Sequence, residues 1–525
     1  MGGARAAIRN ILFVMCDQLR TDHLACYGGP VPTPALDALA ARGVRFTRAF
    51  VNGGVCGPSR TSYYTGRYPV SHRVTWNRVP LPLDELSLGH YLAGAGMPLH
   101  LLGKTHFVPD TAGAERLGYR MDAAAAAMFR SGGFTEVERY DGHVEPASDS
   151  PYRQYLLDRG YDSDRPWSDF VIGSEGSDGS FASGWLLRNA TLPARVRAED
   201  SETAYLTTRA LEFIGAMGDQ PWALHLSYIK PHWPFKAPAP YHAMYAAADA
   251  VPPVRSGDEL RGAHPVYDAY RGLEESVTFA REDVWRAIRP VSMGLVAQID
   301  REIGRLVRQL DAWGCLDDTL IVFTSDHGDL AGDHWLGEKE YFYESVMRVP
   351  LIVVDPTAAA DATRGQALTA FAESVDVVPT VLDALGLAIP QHRVEGRSLL
   401  PLLHGADGAP AREAVFGSLD YAYREARLFL GRGPERCTGF MVRTDRYKYI
   451  DWDGFPPQLF DLDADPHELT DRGTDAALAA VRSELAALLF DWLRSCKRRT
   501  SESEAGVVAR THAHTRMMGI EIGKW

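Results

Sequence analysis

Ile11-Leu12-Phe13-Val14-Met15, followed at once by Cys16-Asp17-Gln18, is the stretch that decides the reading of this chain. Five β-prone apolar residues without polar alternation mark a strand buried on both faces, as in a mainly parallel sheet. Similar runs occur at Leu99 to Leu102, Ala223 to Ser227, Leu320 to Thr324 and Pro350 to Val354. Helical patterns lie between them, at Leu36 to Arg42, Ser87 to Gly94, Glu202 to Gly215, Val291 to Trp313 and Ser374 to Leu385. Such alternation predicts an α/β fold, a large mainly parallel sheet flanked by helices.

The remaining organisation is read from breaks in pattern. At 525 residues the chain exceeds one ordinary domain. Residues 1–400 read as the large domain and 401–500 as a smaller α+β subdomain of short strands with a late helix, Ala476 to Cys496. Within the first, 108–199 is rich in Gly, Ser, Asp and Arg and has little periodicity, which suggests an irregular insertion or lid. The tail, 501–525, is polar and then apolar at Met517-Met518-Gly519-Ile520-Glu521-Ile522, as in an arm that docks on another subunit. A homo-oligomer, dimer or tetramer, is the expectation.

Composition excludes several classes. A hydrophobic fraction of 46% with 23% charged residues is that of a globular protein. No run approaches the roughly 20 apolar residues that span a bilayer, and the net charge of −13 argues against nucleic acid or anionic membranes as partners. The apolar run after Asn10 is too short for a secretory signal, so a cytoplasmic location is expected. The six cysteines (Cys16, Cys26, Cys56, Cys315, Cys437, Cys496) lack zinc or redox spacing and read mostly as buried thiols.

Two acidic sites end apolar strands. Asp17-Gln18 follows the first, and Asp326-His327-Gly328-Asp329 follows Ile321-Val322-Phe323-Thr324-Ser325. Ligands of open α/β sheets bind outside the carboxyl ends of strands, so both acids face the expected cleft. Each alone reads equally as a strand-end turn; together they suit one hard cation. The third element is Cys56-Gly57-Pro58-Ser59-Arg60. Pro58 fits the first turn of a helix, which puts Cys56 at its electropositive end. A buried structural cysteine and a low-pKa thiolate are both consistent with that position.

Cys56-Gly57-Pro58-Ser59-Arg60 resembles the C-x-P-S-R signature of type I sulfatases, members of the alkaline phosphatase superfamily. Asp326-His327-Gly328-Asp329, with Gly332-Asp333-His334 and Lys339 beyond, resembles that family's second metal motif. Gly103-Lys104-Thr105-His106 is similar to its G-K-x-H element, and Lys230-Pro231-His232-Trp233-Pro234-Phe235 to its later histidine segment. Tyr447-Lys448-Tyr449 and the stretch from Leu459 to Glu468 resemble its closing strands. These matches occur in family order from Asn10 to about Leu469.

The resemblance implies an alkaline-phosphatase-like fold and a Cys56 oxidised after translation to formylglycine by a maturation enzyme. It implies that Asp17, Asp326, His327 and the modified Cys56 hold one divalent cation, which polarises a small anionic ester and lowers the pKa of the hydrated aldehyde. One hydroxyl of the hydrate attacks sulfur, and cleavage of the hydrate's own C–O bond then releases sulfate, an exit that serine lacks. Arg60 steadies the hydrate. Lys104, Lys339 and His232 contact the sulfate or the leaving oxygen, and His106 and His232 are the candidates for proton transfer.

The chain departs from many sulfatases in having Asp17-Gln18 where they have two aspartates, and His327 where they carry Asn. That pattern resembles choline sulfatases and phosphonate monoester hydrolases. Imidazole ligation favours manganese, with calcium as the other candidate. Asn77 resembles a substrate-contacting asparagine of this subgroup, and Gln18 joins it as a substrate-binding candidate. Lys104 and His106 replace the neutral Tyr and Thr of phosphonate hydrolases, which favours a sulfate monoester; phosphonate monoester or phosphodiester hydrolysis is the alternative. Trp76, Trp167 and Trp233 are candidates for a cage around a cationic alcohol, with core packing as the other reading. A non-catalytic homologue and a thiol hydrolase using unmodified Cys56 have no positive support among these residues.

Overall fold

The computed structural model describes residues 8–123, 126–406, 408–409 and 411–511. The strand that opens the sequence argument, β1 (Asn10–Asp17), is buried along its whole length. Its side chains divide between two apolar layers: Ile11, Phe13 and Met15 enter one, Leu12, Val14 and Cys16 the other. A strand packed on both faces has no place for polar alternation.

Around β1 stand β2 (Val44–Phe50), β3 (Leu99–Gly103), β4 (Thr135–Arg139), β7 (Ala223–Pro231), β8 (Thr319–Ser325), β9 (Arg348–Val354) and β10 (Ala367–Glu373), a short hairpin of β5 (Gly173–Glu175) and β6 (Phe181–Ser183) lying apart. The sheet order is β10-β2-β9-β8-β1-β7-β3-β4. Only β9 runs against its neighbours. The carboxyl ends of β8, β1, β7, β3 and β4 therefore lie side by side along one edge.

Helices cover both faces. Of the long ones, α1 (Pro34–Arg42), α3 (Glu202–Met217) and α4 (Glu282–Ala312) bury residues in the layer of Leu12 and Val14, whereas α2 (Cys56–Thr65) and α5 (Val377–Ala384) serve the other. A four-stranded antiparallel sheet of β11 (Ala414–Asp420), β12 (Thr438–Thr444), β13 (Tyr447–Trp452) and β14 (Gln458–Asp461) follows. One face receives Leu485, Leu489 and Trp492 of α6 (Ala479–Ser495). Its other residues, among them Val415, Met441, Ile450 and Trp452, join the layer of Ile11 and Phe13, so the smaller sheet shares its core with the larger one.

Several elements differ from the sequence reading. β4 lies inside the stretch read as irregular, 108–199, yet it is the edge strand of the main sheet. Its sequence, Thr-Glu-Val-Glu-Arg, is polar because an edge strand is half solvated. β2 and β10 were not read as strands. α4 begins at Glu282 rather than Val291 and continues through Pro290, a residue that costs a helix interior about 3 kcal/mol. Ile288, Val291 and Leu295 enter one apolar cluster from both sides of the proline, and that burial outweighs the penalty. The helix at Ser374 starts with a single 3₁₀ turn, Ser374–Asp376. Only Cys16, Cys56 and Cys437 of the six free cysteines are fully buried. The arm read at 501–525 falls largely outside the described residues: Glu504–Thr511 is helical, and Met517 to Ile522 lie beyond them. Among the described residues no helix is long and apolar enough to cross a membrane.

Gly103 closes β3 at φ +100°, and a β-carbon there would stand 2.0 Å from the Ser227 carbonyl oxygen of β7. Both the positive φ and the close approach require glycine. Gly103→Ala is expected to destabilise the protein by about 3 kcal/mol, seen as a lower urea or thermal midpoint. An unchanged midpoint would contradict this packing of β3 on β7.

Candidate active site

The shared edge collects the functional side chains because each strand ends in one. β1 delivers Asp17 and Gln18, β8 Asp326 and His327, β7 His232, and β3 Lys104 and His106. β2 leads into α2, whose first residue is Cys56. The Gly57 N–H at that helix start donates to Asn77 Oδ1 at 2.7 Å. Asn77, read as a substrate contact, thus also caps the helix carrying Cys56.

Asp17, Cys56, Asp326 and His327 offer ligand atoms that all lie within 4.8 Å of one another, and all four residues are buried. The Cys56 Sγ is 3.1 Å from His327 Nε2 and 3.9 Å from Asp17 Oδ1. His327 Nε2 lies 3.6 Å from Asp326 Oδ1 and 3.7 Å from Asp17 Oδ1. His327 Nδ1 is 2.8 Å from the Gly328 carbonyl oxygen. Donation there puts the ring proton on Nδ1 and turns the Nε2 lone pair to the cluster, the tautomer a metal ligand needs. Two carboxylates, an imidazole and a modifiable side chain suit one divalent cation. Burial pulls His327 down, yet Asp326 and Cys56 outweigh it and raise the imidazole to about 8. The spot favours positive charge.

Arg60 joins the two acids. Its Nε donates to Asp326 Oδ2 at 2.7 Å and its Nη2 to Asp17 Oδ2 at 3.2 Å, while Nη1 donates to the Lys104 carbonyl and to Ser227 Oγ. Ser59 Oγ donates to the Asp326 carbonyl. Burial lifts Asp17, but Lys104, His232 and Arg60 hold it well below the usual carboxylate range. Asp326 is pushed up by burial and by Asp17, against Arg60.

Two lysines, each with an imidazole, complete the site. Lys104 Nζ donates to Asp17 Oδ2 and to His143 Nε2, the latter at 3.0 Å. Lys339 Nζ donates to Gln18 Oε1 at 3.0 Å and to His232 Nε2 at 2.5 Å. Burial and Lys339 push His232 down to about 3; burial and Lys104 likewise hold His143 well below the ordinary imidazole range. His106 stands with its N–H on Asp141 Oδ1, which also accepts from Thr105.

His143 and Asp141 were missed. They follow β4 in the stretch that carried no periodicity, and their only signal is a turn-like Asp141-Gly142 pair before a lone histidine. All the residues read as catalytic, metal-binding or substrate-binding lie at this edge. Trp167 does not: it is 1% exposed and donates Nε1–H to Glu202, so the third wall of the proposed aromatic cage is core. Trp233 packs on the rings of His232 and His143 at 4.6 and 5.2 Å, with the half-exposed Trp185 beside it. Trp76 stacks on the exposed Tyr423 at 5.9 Å.

Comparison with known proteins follows this geometry. The sulfatase family model matches residues 9–387, and a model for the C-terminal region of N-sulphoglucosamine sulphohydrolase matches 332–494. The chain is 33% identical to the multifunctional alkaline phosphatase superfamily protein PehA of Trinickia caryophylli, over 96% of this chain and 99% of that one. It is 29% identical to a choline-sulfatase of Rhizobium meliloti, over 91% and 86%. The phosphonate monoester hydrolase SpPMH of Silicibacter pomeroyi superposes with a TM-score of 0.82 at 31% identity, covering 95% of this chain and 98% of that one.

In protein carrying unmodified Cys56, burial raises the thiol pKa, but Lys339, Lys104 and His327 outweigh it and hold it well below the ordinary value. The thiolate is then present at pH values where a free cysteine, near about 8.5, is still protonated. Ultraviolet thiolate absorbance in unmatured, metal-free protein is expected to persist below neutrality and to be absent in Cys56→Ser. Loss of the signal with a midpoint near the free-cysteine value would contradict the geometry.

Proposed function

The chain belongs to the sulfatase family, and we propose that it hydrolyses sulfate monoesters at this site, with oxidised Cys56 as nucleophile. The observation that carries the reading is the position of Cys56. It sits at a helix start as one of the four donors that could hold a metal, with two buried lysines acting on it. A structural cysteine has no use for such surroundings.

Asp17, Asp326, His327 and the Cys56 side chain would hold a divalent cation, manganese before calcium, which would polarise the ester and acidify the nucleophile. The formylglycine made from Cys56 by a maturation enzyme supplies a hydrated aldehyde as that nucleophile. Arg60 fixes the two acids against each other; with its N–H groups on Asp17, Asp326, Ser227 and the Lys104 carbonyl, it acts on the nucleophile through them. Lys104 and Lys339 face the transferring group with positive charge where negative charge develops. Lys339 also holds a proton at Nζ, hydrogen-bonded to His232 Nε2, beside the path to the leaving oxygen. His232 is oriented for this by its Nδ1 contact with the Trp233 carbonyl. Gln18 and Asn77 bind the ester oxygens, and His106 is a second candidate for proton transfer.

A second reading is phosphonate monoester hydrolysis with the same nucleophile and cation. The likeness to SpPMH over nearly the whole of both chains favours it. Lys104 and His106 are the residues that favour sulfate.

Cys56→Ala is expected to lower kcat by at least about 10³-fold with an unchanged thermal midpoint. The substrate assignment is tested by kcat/KM for an aryl sulfate and an aryl phosphonate monoester with one leaving group, on one matured and metal-loaded preparation. A clear preference for sulfate is expected. A preference for phosphonate would overturn the substrate and leave the nucleophile standing.

A further inference from the structure

His143 is a half-buried imidazole that no motif of the chain accounts for. It follows the edge strand β4, and the backbone turns there through two left-handed residues, Gly142 at φ +67° and His143 at φ +66°. A β-carbon on Gly142 would press on the Ile229 side chain at 2.8 Å. The turn brings the His143 ring against His232, 4.3 Å between centroids, and its Nε2 to 3.0 Å from Lys104 Nζ.

The tautomer follows from the partner. An ammonium has no lone pair, so Lys104 is the donor and His143 Nε2 the acceptor. A neutral imidazole then carries its proton on Nδ1. That Nδ1 is buried and has no hydrogen-bond partner among the described residues. Leaving a buried N–H unmade is costly, and nearly all such groups in folded proteins find an acceptor. A second buried donor beside it shares this condition, Trp233 Nε1. A donor left without a partner next to Lys104 and His232 awaits an acceptor that arrives with the substrate.

We propose that His143 is a substrate-binding residue of this site, donating Nδ1–H to an oxygen of the ester oxyanion, with Lys104 fixing the tautomer. The proposal rests on the hydrolase reading above and extends it to a residue from the segment after β4. Asp17, His143 and His232 also form a three-donor group that a second cation would suit. Lys104 Nζ, donating to both Asp17 and His143, already fills that corner with positive charge.

Three variants of matured, metal-loaded enzyme separate the possibilities, because asparagine keeps a donor near Nδ1 and glutamine a group near Nε2. His143→Ala is expected to lower kcat/KM for aryl sulfate by about 10²-fold and to weaken inhibition by vanadate at least about tenfold. His143→Asn recovers most of both losses, His143→Gln little, and metal content is unchanged. Rescue by Gln but not Asn would overturn the proposal and reduce His143 to a partner for Lys104. Wild-type rates in His143→Ala would overturn it as well. So would a fall from two bound ions per chain to one, which makes His143 a metal ligand. If the wild type hydrolyses neither sulfate nor phosphonate esters, the hydrolase reading fails. Vanadate-induced stabilisation, measured as the thermal-midpoint shift of wild type against His143→Ala, then still decides His143: a shift lost in the variant supports the contact, an equal shift refutes it.

Discussion

Two fully buried carboxylates within one small space set the terms for the rest of this structure. Asp17 and Asp326 end adjacent parallel strands, and like charges out of water repel strongly unless cations are built in beside them. Arg60 supplies the first of these, with one nitrogen on each acid. Lys104 supplies the second, on Asp17. Arg60 reaches both only because α2 starts where it does, and that start also fixes Cys56. Breaking such an arrangement from one side typically costs about 3–5 kcal/mol, since a buried charge is left behind. The position of Cys56 and the fold's stability therefore depend on the same pairs.

The sheet explains why the groups meet. A parallel sheet brings many chain segments to one edge at a similar depth, each strand contributing the residue just past its end. Residues as distant in sequence as Asp17, Lys104, His232 and Asp326 become neighbours without a long loop to hold them. Fixed charges placed in this way need no reorganisation during reaction, which is the property electrostatic catalysis requires. Lys339 arrives differently, from the loop after β8, and its bonds to Gln18 and His232 tie that loop to β1 and β7.

Much of this was legible in the residues. β1, β3, β7, β8 and β9 declare themselves because burial on both faces demands largely apolar runs. Asp17 and the Asp326-His327 pair announce themselves by following such runs. β4 did not, since an edge strand is half wet and its glutamates disguise it; His143 was lost with it. The start of α4 was hidden by Pro290, where tertiary burial prevails over local propensity. For Trp167 the core reading holds over the cage reading: a tryptophan in a loop-like stretch is buried, its indole N–H on Glu202. The capping of α2 by Asn77 was equally invisible, since a helix cap supplied from outside the helix leaves no local pattern.

The central claim is that the chemistry runs through a converted Cys56 and not through its thiol. The most direct measurement is the specific activity of preparations matured to different extents, set against the formylglycine fraction found in the Cys56 peptide by mass spectrometry. Proportionality through zero is the expected result. Full activity in a preparation whose peptide carries only cysteine would contradict the account.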